Sequence, residues 1–181
     1  MVFASGSGSN FENISKFFAK TNIKIQALFT NKKDCGAVLM AQKLNIQIEI
    51  FDKNQFLNGE VLNKLKQLSP DLIVLAGFLL KVPDNIVSAF PNKIINIHPA
   101  LLPKYGGKGM YGKQVHQVVF DNKEKESGIT VHYVNEHYDE GNTIAQFKVE
   151  LNDNETPETI EQKVRELELK HYPKTIELLL Q

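Results

Sequence analysis

The feature that most constrains the fold is a regular alternation of short apolar runs with longer stretches of helical periodicity. The run "LIVLAG" is apolar on every side and ends at Gly77, as expected of a strand that is buried on both faces of a parallel sheet. Strand–helix–strand units in this order predict an α/β fold with a doubly wound, mainly parallel sheet. The predicted strands cover residues 1–4, 23–29, 46–51, 72–76 and 94–97, and the predicted helices cover 10–20, 34–44, 54–68 and 83–90.

The C-terminal third follows a different pattern. Residues 128–134 and 143–151 alternate like strands, so we expect a strand pair around the loop at 139–142. A long C-terminal helix is expected from Thr156, with Pro157 in its first turn. Pro173 is expected to kink or restart this helix, because its ring removes an interior hydrogen bond.

Composition limits the class of protein. With 181 residues, 42% of them hydrophobic, and no internal repeat or linker, we expect a single domain spanning 1–181. Lys+Arg and Asp+Glu are both 21, and this balance argues against a nucleic-acid partner. Cys35 is the single cysteine, which fits a reducing cytoplasm. We expect neither a signal peptide at "MVFASGSGSN" nor a membrane span.

A glycine-rich turn, "ASGSGSN", joins the first predicted strand to the first helix. Gly6 and Gly8 let the backbone turn tightly and expose N–H groups where the helix dipole favours an anion. Ser9 and Glu12 have capping-box spacing, which predicts Ser9 as the helix N-cap. Two interpretations stay open: a phosphate site made by Gly8, Ser9 and Asn10, or an ordinary turn before a well-capped helix.

A dinucleotide site is less well supported by the same turn. Phe11 stands where the G-x-G-x-x-G pattern has its third glycine, and "LFTNKK" after the second strand offers no acidic residue for a ribose hydroxyl. A single phosphate on a small metabolite fits the turn better than NAD.

Asn96 and His98 lie at the end of the fifth predicted strand, two residues apart, so both side chains emerge on one side of an extended chain. A carboxamide can donate to a developing oxyanion, and a histidine can exchange a proton near pH 7. The alternative is that both residues only cap the turn. Asp139 would raise the pKa of His98 if it lies close by, but it could equally be a turn residue.

No other nucleophile or metal site competes with this pair. Cys35 falls early in a predicted helix, and no serine stands in a G-x-S-x-G elbow. The other histidines lack the spacing of zinc motifs, and His132 could be a hydrogen-bonded core residue. Acyl transfer without covalent catalysis is the chemistry that remains.

The chain resembles the phosphoribosylglycinamide formyltransferases, folate-dependent enzymes of purine synthesis with a Rossmann-like formyltransferase fold. The motifs that carry the resemblance cover nearly the whole chain and occur in the family's order: "SGSGSNFENI", "DLIVLAGFL", "INIHPALLPKYGG", "SGITVHYVNEHYDEG" and "ELELKHYP". The pair formed by the third and fourth motifs is highly specific.

The resemblance implies that Asn96, His98 and Asp139 are the catalytic residues. The amine of 5'-phosphoribosylglycinamide would attack the formyl carbon of 10-formyltetrahydrofolate, and Asn96 and a protonated His98 would stabilise the oxyanion. Asp139 would keep His98 charged and help to relay the amine proton towards the departing N10.

The resemblance also implies the binding residues. For the substrate it implies Gly8, Ser9 and Asn10 at the phosphate, and Arg165 and Glu168 near the ribose or glycinamide end. For the co-substrate 10-formyltetrahydrofolate it implies contacts with Asn96 and the loop 136–141, and with Asn54 near the folate tail. The pterin would be bound by the backbone of Leu79, Leu80, Lys81 and Val82. We also expect no metal, no membrane and no nucleic-acid partner, and a monomer or homodimer in the cytoplasm.

Some positions depart from the family pattern. Ala100 replaces a more usual serine, Lys81 places a charge in the pterin segment, and "GGKGMYG" at 106–112 differs from the usual loop. Met1 stands almost inside the first strand, where relatives carry several more residues. We also expect a cis Leu102–Pro103 bond, since a forced turn would explain the proline there.

Four other functions remain as alternatives. A methionyl-tRNA formyltransferase needs a further nucleic-acid-binding domain and a basic surface, and a formyltetrahydrofolate hydrolase usually carries an extra regulatory domain. The length of the chain does not exclude a sugar-nucleotide formyltransferase, but the glycine-rich phosphate turn argues against that function. A non-catalytic nucleotide-binding module on the same scaffold is the alternative from another class.

Overall fold

The computed structural model describes all 181 residues and has an α/β fold. Seven strands form one mixed sheet in the order β3-β2-β1-β4-β5-β6-β7. The strands are β1 Val2–Phe3, β2 Ala27–Thr30, β3 Gln47–Ile50, β4 Ile73–Leu75, β5 Ile94–His98, β6 Glu126–Tyr133 and β7 Thr143–Glu150. The helices are α1 Ser9–Phe18, α2 Gly36–Lys43, α3 Lys53–Leu57, α4 Glu60–Leu68, α5 Asp84–Ala89, α6 Lys113–Asp121 and α7 Pro157–Leu179.

The chain divides into two compact units. The first comprises Met1–Ile95 with Leu180–Gln181, and the second comprises Asn96–Leu179. The predicted alternation of strands and helices is confirmed in the first unit, where β1 pairs in parallel with β2 and β4, and β2 with β3.

An aromatic cluster forms part of the core of the first unit. Phe3 of β1 stacks on Phe29 of β2 with ring centroids 4.8 Å apart, and its edge meets Phe78 at 5.3 Å. Phe51 and Phe56 complete the cluster, with their own centroids 4.9 Å apart. Such pairs add to the free energy gained by burying the rings, so this cluster anchors the chain on both sides of β1.

In the second unit β6 and β7 pair antiparallel, as the alternating pattern predicted. The register pairs Val131 with Ala145 but His132 with Thr143, so Ile144 has no partner and forms a bulge. A bulge bends its strand and re-aims the side chains beside it. It lies directly at His132, one of the residues of the site described below.

Several predicted elements were wrong at their boundaries. The expected strand at 23–29 begins only at Ala27. The helix predicted over 54–68 is two helices, because Gly59 adopts a left-handed φ of 96° between them. The first of the two, α3, begins behind a capping box in which Asp52 accepts from Gln55 N–H.

One further helix was not predicted, and the alternative that Pro173 restarts the C-terminal helix was wrong. Helix α6 was not predicted at all, because "GGKGMYG" precedes it and only Val115 and Val119 mark a buried apolar face. The C-terminal helix begins as expected at Pro157, but it runs through Pro173 to Leu179 without a restart. Pro173 is buried there, and burial of this helix face offsets the lost backbone hydrogen bond.

Candidate active site

Asn96 and His132 meet between neighbouring strands of the second unit. Asn96 Nδ2 lies 3.2 Å from His132 Nε2, while His132 Nδ1 lies 2.8 Å from the carbonyl oxygen of Tyr133. A carbonyl only accepts, so Nδ1 is the protonated ring nitrogen and Nε2 is left to accept from the Asn96 amide. His132 therefore orients the amide, whose second hydrogen stays available.

The side chains of His98 and Asp139 also lie close together, although the two residues are 41 positions apart in the sequence. His98 Nδ1 lies 3.5 Å from Asp139 Oδ2, and the ring is buried at 3% exposure. The opposite ring nitrogen, Nε2, donates to the Tyr105 carbonyl oxygen over 2.7 Å. Asp139 is held in turn by the N–H of Gly107, which donates to Oδ2 over 2.9 Å. The expected proximity of imidazole and carboxylate is thus present.

Two histidine rings face the one carboxylate. His132 Nε2 lies 3.5 Å from Asp139 Oδ1, so each carboxylate oxygen of Asp139 has a ring nitrogen near it. Asn96, His98, His132 and Asp139 form one connected polar cluster. His98 and His132 are its buried members, and Asn96 and Asp139 are partly exposed.

The sequence-based expectation that His98 is kept charged needs correction. Burial lowers the pKa of His98 below its ordinary 6.5, and this effect is larger than the upward pull of the Asp139 charge and the Tyr105 carbonyl. Asp139 does act in the expected direction, but the surrounding protein removes more hydration than one carboxylate replaces. His98 is therefore mainly neutral near pH 7 in the free protein.

Asp139 itself is held in its ionised form. Burial acts to raise the pKa of this carboxyl group, but the neighbouring His132 ring, the charge of His98 and the Gly107 N–H together lower it below 3.8. The cluster thus combines a carboxylate with two imidazole rings.

The strand exit after His98 is held by Thr130 of β6. The Thr130 hydroxyl donates to the Ala100 carbonyl over 2.7 Å and accepts from the Leu102 N–H over 3.0 Å. Gln146 adds a third bond to the same oxygen at 2.9 Å. The predicted cis Leu102–Pro103 bond is confirmed. Ala100 is 1% exposed, so its side chain faces the packed interior.

The glycine-rich turn lies in the first unit, at the beginning of α1. The prediction that Ser9 caps this helix is wrong: the N-cap is Gly8, with φ 84°, and no side chain caps the helix. A Cβ on Gly8 would lie 2.6 Å from Ala37 Cα, so only glycine allows this close approach of α1 and α2. The first turn of a helix directs backbone N–H groups beyond the helix, where the helix dipole favours an anion.

A cavity of about 500 Å³ opens beside this turn in the first unit. The Ser5 hydroxyl on its wall donates to Asn31 Oδ1 over 2.7 Å. The remaining wall is formed by Gly6 and by the loop at 32–36, which supplies Lys32 and Lys33. The same loop also supplies Asp34, and Gly8, Ser9 and Asn10 do not line this cavity. Their role at a phosphate stays a prediction.

The segment predicted to bracket the pterin follows β4 in the first unit. Val82 is buried, Leu79 is exposed and Leu80 is intermediate. The ammonium group of Lys81 donates to Asp84 Oδ1 over 3.0 Å, so its charge is paired at the protein surface. Asn54 is exposed in the first turn of α3. The folate-binding role of these residues stays a prediction.

Arg165 and Glu168 lie on α7 in the second unit, three residues apart and therefore on one face. Arg165 is exposed and Glu168 is intermediate. Their expected role at the substrate also stays a prediction.

Comparison with known families decides the affiliation of the chain. Residues 1–176 match the family described as Formyl transferase. The chain belongs to this formyl transferase family. A curated relative from Bacillus subtilis, phosphoribosylglycinamide formyltransferase, is 37% identical over 186 residues, which cover 99% of this chain and 93% of the relative.

Plant relatives and a solved structure of this formyl transferase family agree with that match. The chloroplastic phosphoribosylglycinamide formyltransferase of Arabidopsis thaliana is 39% identical over 97% of this chain. The chain spans 63% of that protein and 59% of its Vigna unguiculata counterpart. Glycinamide ribonucleotide transformylase 1 of Geobacillus kaustophilus has a TM-score of 0.90 at 31% identity, covering 99% of this chain and 97% of that structure.

Sequence reasoning overlooked three residues at the site of this formyl transferase. His132 was interpreted as a core histidine, and it is 2% exposed, but it contacts both Asn96 and Asp139. Thr130 and His132 are polar residues two apart within the apolar run "GITVHYV", and that period of two was an available signal. Tyr105 contacts His98 through its backbone, for which the sequence carries no signal.

None of the helices combines the length and the apolar character that crossing a membrane requires. No group of three or more His, Cys, Asp or Glu side chains is placed to bind a metal ion.

Proposed function

We propose that this chain transfers the formyl group of 10-formyltetrahydrofolate to the amine of 5'-phosphoribosylglycinamide in purine synthesis. The observation that carries the proposal is the polar cluster of Asn96, the buried His98 and Asp139, on a chain of the formyl transferase family. The relatives named phosphoribosylglycinamide formyltransferase support the choice of substrates.

In this mechanism the substrate amine attacks the formyl carbon directly. A carbon–nitrogen bond forms, the bond from the formyl carbon to N10 breaks, and one amine proton ends on N10. Asn96 donates its free amide hydrogen to the oxyanion of the tetrahedral intermediate. His98 stabilises the same negative charge when it takes up a proton.

Asp139 makes that uptake easier. The ring of His98 is neutral before the reaction because it is buried, and the carboxylate 3.5 Å from Nδ1 lowers the cost of charging it. We propose that the amine proton travels towards N10 through His98 and Asp139, which suits groups that exchange protons near neutral pH.

Binding roles follow the same proposal. Gly8, Ser9 and Asn10 bind the substrate phosphate through the beginning of α1, where backbone N–H groups and the helix dipole favour an anion. Arg165 and Glu168 bind the substrate from α7. The co-substrate contacts Asn96, Asn54, the loop 136–141 and the backbone of Leu79, Leu80, Lys81 and Val82.

The organisation of the protein is part of the proposal as well. We propose one formyltransferase domain over 1–181, which the family match over 1–176 supports. A cytoplasmic location, the lack of a nucleic-acid partner and a monomeric or homodimeric state stay predictions. Relatives in plants are chloroplastic proteins.

The decisive experiment is a spectrophotometric assay with a 10-formyl folate and glycinamide ribonucleotide. We expect turnover in the unmodified protein, and we expect His98→Asn to lower its rate by roughly a hundredfold or more. His171→Asn is the matched control, because His171 stacks on Phe147 and has no role in the proposed site. Turnover of a sugar nucleotide or formylation of methionyl-tRNA in place of glycinamide ribonucleotide would overturn the substrate assignment.

A further inference from the structure

One short segment contacts both titrating groups of the proposed active site. The Tyr105 carbonyl accepts from His98 Nε2 over 2.7 Å, and two residues later the Gly107 N–H donates to Asp139 Oδ2 over 2.9 Å. A Cβ on Gly106 would lie 3.3 Å from Asp139 Cβ, so the segment packs closely on the carboxylate.

Tyr105 holds an unfavourable backbone conformation in this segment. Its φ is 57°, in the left-handed region that large side chains seldom adopt. A backbone of this kind persists only where the surrounding structure holds it in place. The left-handed turn is also the conformation in which the Tyr105 carbonyl meets the imidazole.

The side chain of Tyr105 supplies an anchor. Its hydroxyl donates to Glu124 Oε1 over 2.7 Å, and Lys104 Nζ donates to the same oxygen over 2.9 Å. Glu124 lies between α6 and β6, and its N–H donates to the Val119 carbonyl. Burial and the glutamate raise the pKa of Tyr105 to about 12, while Lys104 and Tyr105 lower the pKa of Glu124. The tyrosine therefore stays neutral and the glutamate charged at neutral pH, which favours a strong hydrogen bond between them.

We propose that Tyr105 and Glu124 are positioning residues for formyl transfer, because their side-chain bond holds the Tyr105 carbonyl on His98 Nε2 and thereby turns Nδ1 towards Asp139. This inference rests on the proposed function for its kinetic consequence only. The carbonyl can accept but not donate, so it selects the ring form with hydrogen on Nε2. Proton uptake is then confined to Nδ1, the nitrogen beside the carboxylate.

The other groups around the ring do not impose this orientation. Asp139 faces Nδ1 from the loop after β6, and His132 of β6 lowers the pKa of His98 through its charge. His116 of α6 is buried nearby, and its Nδ1 has no hydrogen-bond partner. Of these groups and the Tyr105 carbonyl, only the carbonyl makes a hydrogen bond of ordinary length to the ring.

The test is nitrogen-15 NMR of the full chain labelled at histidine, with His98 assigned by the His98→Asn variant. In the unmodified protein we expect hydrogen on Nε2 of the neutral ring. In Tyr105→Phe we expect a mixture of tautomers and a lower pKa of His98, because the carbonyl hydrogen bond raises that pKa. Tyr111→Phe is the matched control, since Tyr111 is 57% exposed in the next part of the same loop.

Kinetics and a second variant complete the test. Tyr105→Phe and Glu124→Gln should each lower kcat by roughly tenfold with KM unchanged, as a misplaced catalytic group does. The double variant should lose no more than the stronger single one, since both act through one bond. Glu124→Gln also keeps the test usable if Tyr105→Phe fails to fold.

The outcomes separate the two proposals. A wild-type tautomer and pKa of His98 in both variants would overturn the positioning role, whatever the activity. Absence of formyl transfer in the unmodified protein would overturn the proposed function, while the NMR result would still decide how the ring is oriented.

Discussion

Asn96 and His132 are 36 residues apart in the chain, and their side chains are 3.2 Å apart between β5 and β6. Because His132 Nδ1 is bound to a backbone carbonyl, the ring can only accept from the Asn96 amide. The amide is thus oriented before any substrate binds. Preorganised donors of this kind contribute to catalysis because they need no reorganisation during the reaction.

Replacement of Asp139 tests the carboxylate of this cluster. We expect Asp139→Asn to lower kcat by about a hundredfold, because His98 loses the charge that favours its protonation. The pKa of His98 should fall further. Steady-state kinetics and NMR titration measure both effects, and Asp121→Asn on α6 is the control. Unchanged kcat in Asp139→Asn would remove the carboxylate from the mechanism.

Thr130 is expected to stabilise the strand exit. Thr130→Val keeps the shape but leaves the buried Leu102 N–H and Ala100 carbonyl without their partner, which should cost about 1–3 kcal/mol in the free energy of unfolding. Urea denaturation measures this loss. Thr130→Ser keeps the hydroxyl and should lose clearly less. An unchanged free energy of unfolding in Thr130→Val would contradict the stabilising role of these hydrogen bonds.

The two glycines of the first turn should respond differently. Gly8→Ala places a Cβ 2.6 Å from Ala37 Cα at a left-handed φ, so we expect about 1–3 kcal/mol of lost stability and a raised KM for the substrate that carries the phosphate. Gly6→Ala meets no atom within 4 Å and is the matched control. Thermal unfolding and kinetics compare them. Similar behaviour of both variants would contradict the close approach.

Stability should depend on pH through the buried histidines. Burial lowers the pKa of His98 and of His116 below 6.5, so the unfolded chain binds more protons than the folded chain just below that pH. The free energy of unfolding should therefore fall as the pH drops from about 6.5 towards 5. Urea denaturation across this range measures the slope. His98→Asn and His116→Asn should each reduce it, and an unchanged slope in both would contradict the assignment.

Arg165 is expected to act in binding and not in chemistry. Arg165→Met should raise KM for glycinamide ribonucleotide by about tenfold and leave kcat nearly unchanged, as removal of a uniform binding contact does. Glu166→Gln, an exposed neighbour on α7, serves as the control. An effect on kcat alone would place Arg165 in another role.

Local patterns were sufficient for most of the fold. The alternation of strands and helices was predictable because hydrophobic periodicity is a property of neighbouring residues. Where a long-range contact or an unusual backbone decided the outcome, prediction was wrong. Ser9 has the residue type and spacing of a cap, yet Gly8 takes that place where α1 and α2 approach closely.

The site divides in the same way between sequence and structure. The sequence by itself determined the residue types available for acyl transfer and, through Asn96 and His98 at a period of two, the face they share. Only the tertiary structure decided that Asp139 and His132 meet them, and that His98 is mainly neutral. The physical reason is that charge state depends on hydration and on neighbours distant in the chain, and both exist only after folding.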